Sequence, residues 1–186
     1  MKATGIVRRI DDLGRVVIPK EIRRTMRIRE GDPLEIYTDR EGEVIFKKYS
    51  PIGELNSFAT QYAETLHKTC ELTVCICDRD SVIASSGLPK RDYLDKRISK
   101  ELENVIESRS LYTCQSQEQG QTQPFGAVLD APAGYYVSCA MPILTEGDII
   151  GCVVSMHMDS DLHAPTETEI KLVQSAASFL GKQLES

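Results

Sequence analysis

Residues 5–49 read GIVRRIDDLGRVVIPKEIRRTMRIREGDPLEIYTDREGEVIFKKY, and the order of elements in this stretch decides the fold of the first part of the chain. Two β-type runs, VRRI at 7–10 and RVVIP at 15–19, flank the turn sequence Asp11-Asp12-Leu13-Gly14. Pro19 takes the place of a first helical residue, and 20–26 then reads as one or two helical turns. A second pair of runs, PLEIYT and EVIFKK, surrounds Asp39-Arg40-Glu41-Gly42, another turn sequence. So short a strand–strand–helix–strand–strand unit cannot bury a sufficient core by itself. It has no metal-ligand spacing to staple it either. Its apolar residues, Val7, Ile10, Val17, Ile36 and Phe46 among them, need a second copy to pack on. A two-fold dimer repeats every charged group about an axis, which matches the pseudo-symmetry of duplex DNA.

The charge pattern favours that partner. Between Lys2 and Arg29 stand nine basic residues and three acidic ones, and seven of the nine are arginine. The planar guanidinium fork suits phosphate oxygens and guanine edges better than an ammonium does. The competing reading is a solvated charged face with no partner.

The runs Gly5-Ile6-Val7-Arg8, Leu13-Gly14-Arg15-Val16-Val17-Ile18-Pro19, Glu21-Ile22-Arg23-Arg24-Thr25, Leu34-Glu35-Ile36-Tyr37 and Lys47-Lys48-Tyr49 closely resemble the DNA-binding domain of the AbrB transition-state regulators. The resemblance runs without a gap over the whole stretch. It implies a swapped-hairpin dimer in which the hairpins of two chains interleave into one barrel-like body. It places the DNA-contacting arginines at Arg8, Arg15, Arg23 and Arg24, with Arg9, Lys2 and Lys20 as accessory contacts. On so small a surface direct base contacts are few, so shape readout of A·T-rich duplex is expected.

The whole chain has 186 residues and a formal net charge of −6. Residues 1–48 carry 12 basic and 9 acidic side chains, whereas 49–186 carry 10 basic and 19 acidic ones. Such an asymmetry describes a nucleic-acid arm on a body that avoids DNA. No apolar h-region opens the chain and no apolar run approaches membrane-spanning length, so a soluble, cytoplasmic protein is expected. The six cysteines are expected as free thiols; Cys75 and Cys77 alternate in a strand pattern and share one face. A division follows: 1–49 as the DNA-binding and dimerisation domain, 50–54 (Ser-Pro-Ile-Gly-Glu) as a short link, and 55–186 as a second domain.

In the second domain the apolar spacing of 55–68 predicts a helix, and 72–77 with 81–84 predicts a strand pair around Asp78-Arg79-Asp80. Residues 93–108 read as one helix, and 114–134 as a glutamine-rich loop in which Phe125, Val128 and Leu129 are the apolar anchors. Strong β character at 135–144 and 148–158 predicts a central antiparallel pair. Thr166-Glu167-Thr168-Glu169 is a capping box opening a terminal helix. The plan is α+β, an antiparallel sheet flanked by helices. Ile76-Cys77-Asp78-Arg79-Asp80 and Pro142-Ile143 with Gly147-Asp148-Ile149-Ile150-Gly151 resemble GAF domains, which are small-ligand sensor modules. This implies a small-molecule ligand of unassigned identity. An AbrB-like unit followed by a GAF-like one resembles a family of transcriptional regulators, activators or repressors, of endospore-forming bacteria. Sporulation genes, the nucleoid and the forespore are what that resemblance implies.

Ile170, Val173, Ala177, Leu180 and Leu184 recur at alternating three- and four-residue steps, a seam of coiled-coil type. Leu55, Ala59, Tyr62 and Leu66 make a matching stripe on the helix at 55–68, the first of this domain. These nine are the expected oligomerisation residues: two helices from each of two chains close a four-helix bundle, and with the hairpin dimer this gives a homotetramer, a dimer of dimers. No catalytic residue, metal or cofactor is expected. His67, His157 and His163 are scattered, no nucleophile–His spacing occurs, and no glycine-rich phosphate loop follows a strand. Some GAF relatives are methionine sulfoxide reductases, a task to which a DNA-binding arm is poorly suited. The alternative to a regulator is an antitoxin-like protein whose first unit binds a partner protein.

Overall fold

The structure is a computed structural model that describes residues 5–54, 56–114, 124–130, 134–160 and 163–185. The chain is α+β and divides into two compact units, Met1–Tyr49 and Ser50–Ser186. Each is described by itself.

The first unit contains α1 (Lys20–Met26) and a hairpin of β1 (Leu34–Thr38) and β2 (Val44–Lys48), in the register Leu34↔Lys48 to Thr38↔Val44. Its turn is built by Asp39, whose Oδ1 accepts the Glu41 and Glu43 amides at 3.0 and 2.9 Å, with Gly42 at φ +84°. The first expected hairpin differs. Residues 7–10 and 15–19 form no strand, although the turn between them closes through Gly14 N–H to Asp11 C=O at 3.0 Å and Asp11 N–H to Arg15 C=O at 3.0 Å. A strand needs a ladder partner along its length, and a single chain offers these runs none beyond the turn. The consequence shows in the burial: no residue from 5 to 49 is buried, and Val7, Ile10, Leu13 and Val17 are 68–86% exposed.

The second unit is a five-stranded antiparallel sheet of order β4-β3-β7-β6-β5. Its strands are β3 (Thr73–Cys77), β4 (Val82–Ser86), β5 (Tyr112–Thr113), β6 (Tyr135–Thr145) and β7 (Asp148–Met158). Preceding them are α2 (Pro51–Glu54) and α3 (Asn56–Cys70). Residues 50–54, expected as a link, thus begin the second unit: α2 is a helical turn whose Ile52 is fully buried in that unit's core. Between β4 and β5 lie α4 (Lys90–Tyr93) and α5 (Lys100–Ser108), and α6 (Glu167–Gln183) ends the fold. The single helix expected at 93–108 is two, because Asp95 takes a left-handed φ of 59° and Ile98 bridges Val128, while Ser99 starts α5 by accepting the Leu102 amide at 3.2 Å.

Period-two alternation divides the sheet residues between two cores. Val74, Ile76, Cys139, Ile143 and Val153 pack under α3 and α6. Cys75, Cys77, Val137, Cys152 and Val154 pack under α4, α5 and the 124–130 segment. Cys75 and Cys77 therefore share a face, and all six cysteines are free, five of them buried. The glutamines of the expected loop, at 115–123, lie outside the described residues. Beside them Phe125 packs on Tyr112 at 5.1 Å between ring centres, Val128 is buried, and Leu129 is half exposed.

The expected seam is corrected here. Ala59, Leu66, Val173, Ala177 and Leu180 are at most 4% exposed within one chain's own core, and Tyr62, Ile170 and Leu184 pack against that core. Side chains already covered by their own sheet cannot knit a bundle; Leu55 lies outside the described residues. The outward face of the same helix pair instead shows Phe58 and Phe179, 46 and 39% exposed, with Phe179 stacked on Tyr62 at 5.3 Å. The capping box is also half of what was expected. Thr166 Oγ1 accepts the Glu169 amide at 3.1 Å, but the Glu169 carboxylate is buried and meets His157 Nε2 at 3.1 Å.

Candidate nucleic-acid interface

The site is built on two short pieces of the first unit, the 11–15 turn and α1. Asp11 organises the turn: one carboxylate oxygen accepts the Leu13 and Arg15 amides at 3.1 and 2.7 Å, the other the Arg15 guanidinium Nε–H at 2.7 Å. Gly14 supplies the left-handed φ of +76° that this closure requires. The amide and guanidinium of Arg15 hold the Asp11 carboxyl below the usual carboxylate range. Arg15 itself remains 69% exposed, so the pair is open to exchange with an incoming phosphate. Arg8 and Arg9 are exposed on the preceding arm.

In α1 the residues Lys20, Arg23 and Arg24 fall at i, i+3 and i+4, hence on one face, and all three are exposed. The helix is short and buries nothing, so its position depends on its end. Arg27 closes it in a left-handed conformation, φ 54°, and the Ile28 amide reaches back to the Arg23 carbonyl at 2.8 Å. Lys48, on β2, donates to the Arg27 carbonyl at 3.1 Å and lies 3.5 Å from Asp32, whose side chain is 3% exposed and also accepts the Arg29 amide at 2.8 Å. Asp32 and Lys48 thereby fasten the arginine-bearing helix to the hairpin. The Asp11 turn was legible in the Asp-x-x-Gly spacing; the Asp32–Lys48 tie, sixteen residues apart, leaves no local signal.

Of the expected contacts, Lys20, Arg23 and Arg24 share one helix face, and Arg8, Arg9 and Arg15 lie around one turn. Lys2 lies outside the described residues. What the arrangement can do is present several unburied guanidinium groups on a small polar surface; no group of three or more His, Cys, Asp or Glu able to hold a metal occurs among the described residues. No helix among them is long and apolar enough to cross a membrane.

Exposed arginines on a short helix and turn beside a small hairpin, followed by a separate unit of antiparallel sheet and helices, fit a transcription-factor architecture, and the comparisons say which. Residues 54–185 match the family model "Stage V sporulation protein T C-terminal, transcription factor", and residues 7–53 match "Antidote-toxin recognition MazE, bacterial antitoxin". The chain is 52% identical to Stage V sporulation protein T of Bacillus subtilis (strain 168), over 100% of this chain and 99% of the relative. It is 39% identical to the transition state regulatory protein AbrB of the same organism, over 58% of this chain and 96% of that one. The chain belongs to the stage V sporulation protein T family. A solved GAF domain from an Acinetobacter phosphoenolpyruvate-protein phosphotransferase is 11% identical, covering 70% of this chain and 81% of its own, with a TM-score of 0.54; it shows a shared fold for the second unit.

Proposed function

We propose that the chain is a DNA-binding regulator of sporulation genes, acting in the cytoplasm and without catalysis as a homotetramer assembled from two hairpin-swapped dimers. The observation that carries this reading is the state of residues 5–49: none is buried, while Arg8, Arg9, Arg15, Lys20, Arg23 and Arg24 are all exposed. Apolar runs without a core call for a second copy, and a second copy doubles the arginine face about a two-fold axis. Family membership over the full chain supports the regulator over the antitoxin reading, as does a second unit with two complete cores of its own. The aromatic face of Phe58 and Phe179 is the surface on which a second copy of the sheet unit docks, in place of the buried seam.

The test is binding of the full chain to A·T-rich duplex DNA followed by fluorescence anisotropy across a salt series. Log affinity should fall linearly with log salt, by about 0.9 for each phosphate neutralised. The Arg15→Ala, Arg23→Ala double variant should bind at least tenfold more weakly, from a cost of about 1–3 kcal/mol for each side chain that reaches a base edge. Binding of that variant at wild-type strength would overturn the assignment.

A further inference from the structure

The sheet unit is acidic, with one local exception. Lys90, Arg91, Lys96, Arg97 and Lys100 are half of its ten cationic side chains and stand within eleven consecutive residues, with Asp92 and Asp95 the only acids among them. All five cations are exposed, and none makes an ion pair among the described residues. Beside Lys68, Lys90 is one of the charges that lower the Glu64 carboxyl; the other four cations are left for an anion from outside.

The segment that carries them is not loose. Tyr93 and Ile98 plug it into the core, at 0 and 1% exposure. The backbone is tied on two sides: Val82 N–H to Lys96 C=O at 2.9 Å, Asp95 N–H to Val82 C=O at 2.9 Å, Ile98 N–H to Asp80 C=O at 3.0 Å and Leu129 N–H to Arg97 C=O at 2.9 Å. With Tyr93 and Ile98 turned in, such a strap holds its long basic side chains outward from fixed Cα positions. The aromatic residue of the segment, Tyr93, is buried, so none stands exposed between the cations to stack a base. The arrangement suits evenly spaced phosphates of a rigid polyanion better than one small ligand.

We propose that this strap is a second, sequence-independent contact to the phosphate backbone of duplex DNA. The proposal rests on the DNA-binding reading above. It explains why a unit with 19 carboxylates places five of its ten cations in one segment: that segment escapes the repulsion that the rest of the unit exerts on DNA.

The test uses the full chain and a duplex several helical turns long. Neutralising Lys96→Gln, Arg97→Gln and Lys100→Gln together should make the slope of log affinity against log salt shallower by up to about 2.7 per chain, at roughly 0.9 per phosphate contact. The loss should be equal for cognate and unrelated duplexes. Because Lys100 opens α5, the independent pair Lys90→Gln and Arg91→Gln is measured as well and should also lower the slope. Slopes unchanged in both variants overturn the proposal, as does a changed oligomer size by sedimentation with the slope kept, which makes the strap a contact between copies. The Arg15→Ala, Arg23→Ala variant separates the two readings. If it binds as wild type does, the first-unit reading has failed; if it loses binding while the strap variants keep the wild-type slope, only the strap proposal has.

Discussion

Gly181 sits in α6 where a Cβ would meet the Leu144 carbonyl oxygen, and its own carbonyl accepts Thr145 Oγ1 at 3.0 Å. The helix lies on β6 at backbone distance there, so Gly181→Ala must push the two apart; a loss of about 1–3 kcal/mol is expected in chemical denaturation. Tyr93, wholly buried, titrates at a pH raised from the usual 10 to about 12, first because burial disfavours the phenolate. Its folded form holds the proton longer than the unfolded chain does, so its contribution is complete below pH 10 and lost between 10 and 12. Tyr93→Phe should flatten the fall in unfolding free energy over that window. Burial likewise pushes the Cys75 and Cys152 thiols well above their usual range, leaving little thiolate to react. Alkylation of the native chain should spare both, and peroxide should not alter DNA binding; a peroxide response lost on Cys75→Ser would contradict this.

At the scale of elements, what was legible depended on whether a segment's partners are near in sequence. The β1–β2 hairpin, α1 and the β6–β7 pair carry their turn residues and periodicity with them, and each forms close to where the pattern puts it. The period of α6 marks a real apolar stripe, and the chain's own sheet is what covers it. Three-and-four spacing identifies an apolar stripe, but whether a sheet or another helix covers it is decided by the tertiary fold. Here the sheet covers Val173, Ala177 and Leu180, leaving Phe179 and Phe58 outside. Two variants separate the stripes. Val173→Glu puts a charge in the core and should unfold the sheet unit, whereas Phe58→Ser with Phe179→Ser should leave the sheet unit folded and halve the assembly seen by sedimentation. An unchanged mass for the second variant would remove the aromatic face from the interface. The break between α4 and α5, and Glu169 turning from its cap to His157, were illegible for the same reason: Val128 and His157 are distant in sequence from what they hold.

For the whole molecule the central claim concerns the number of chains that make one DNA-binding body. The sheet unit has two full cores, and the first unit has none of its own among the described residues. Exposed Val7, Ile10, Leu13 and Val17 are the cost of leaving its first hairpin unpaired. Interleaving two such hairpins removes that surface from water and sets two copies of Arg8, Arg15, Arg23 and Arg24 across an axis. Dilution should therefore lower the melting temperature of the first unit, since dissociation and unfolding are linked. Native mass spectrometry of the full chain with duplex DNA tests the claim most directly. Every DNA-bound species should contain an even number of chains, four for the wild type and two for the Phe58→Ser, Phe179→Ser variant. A single chain retained on duplex DNA would contradict the account.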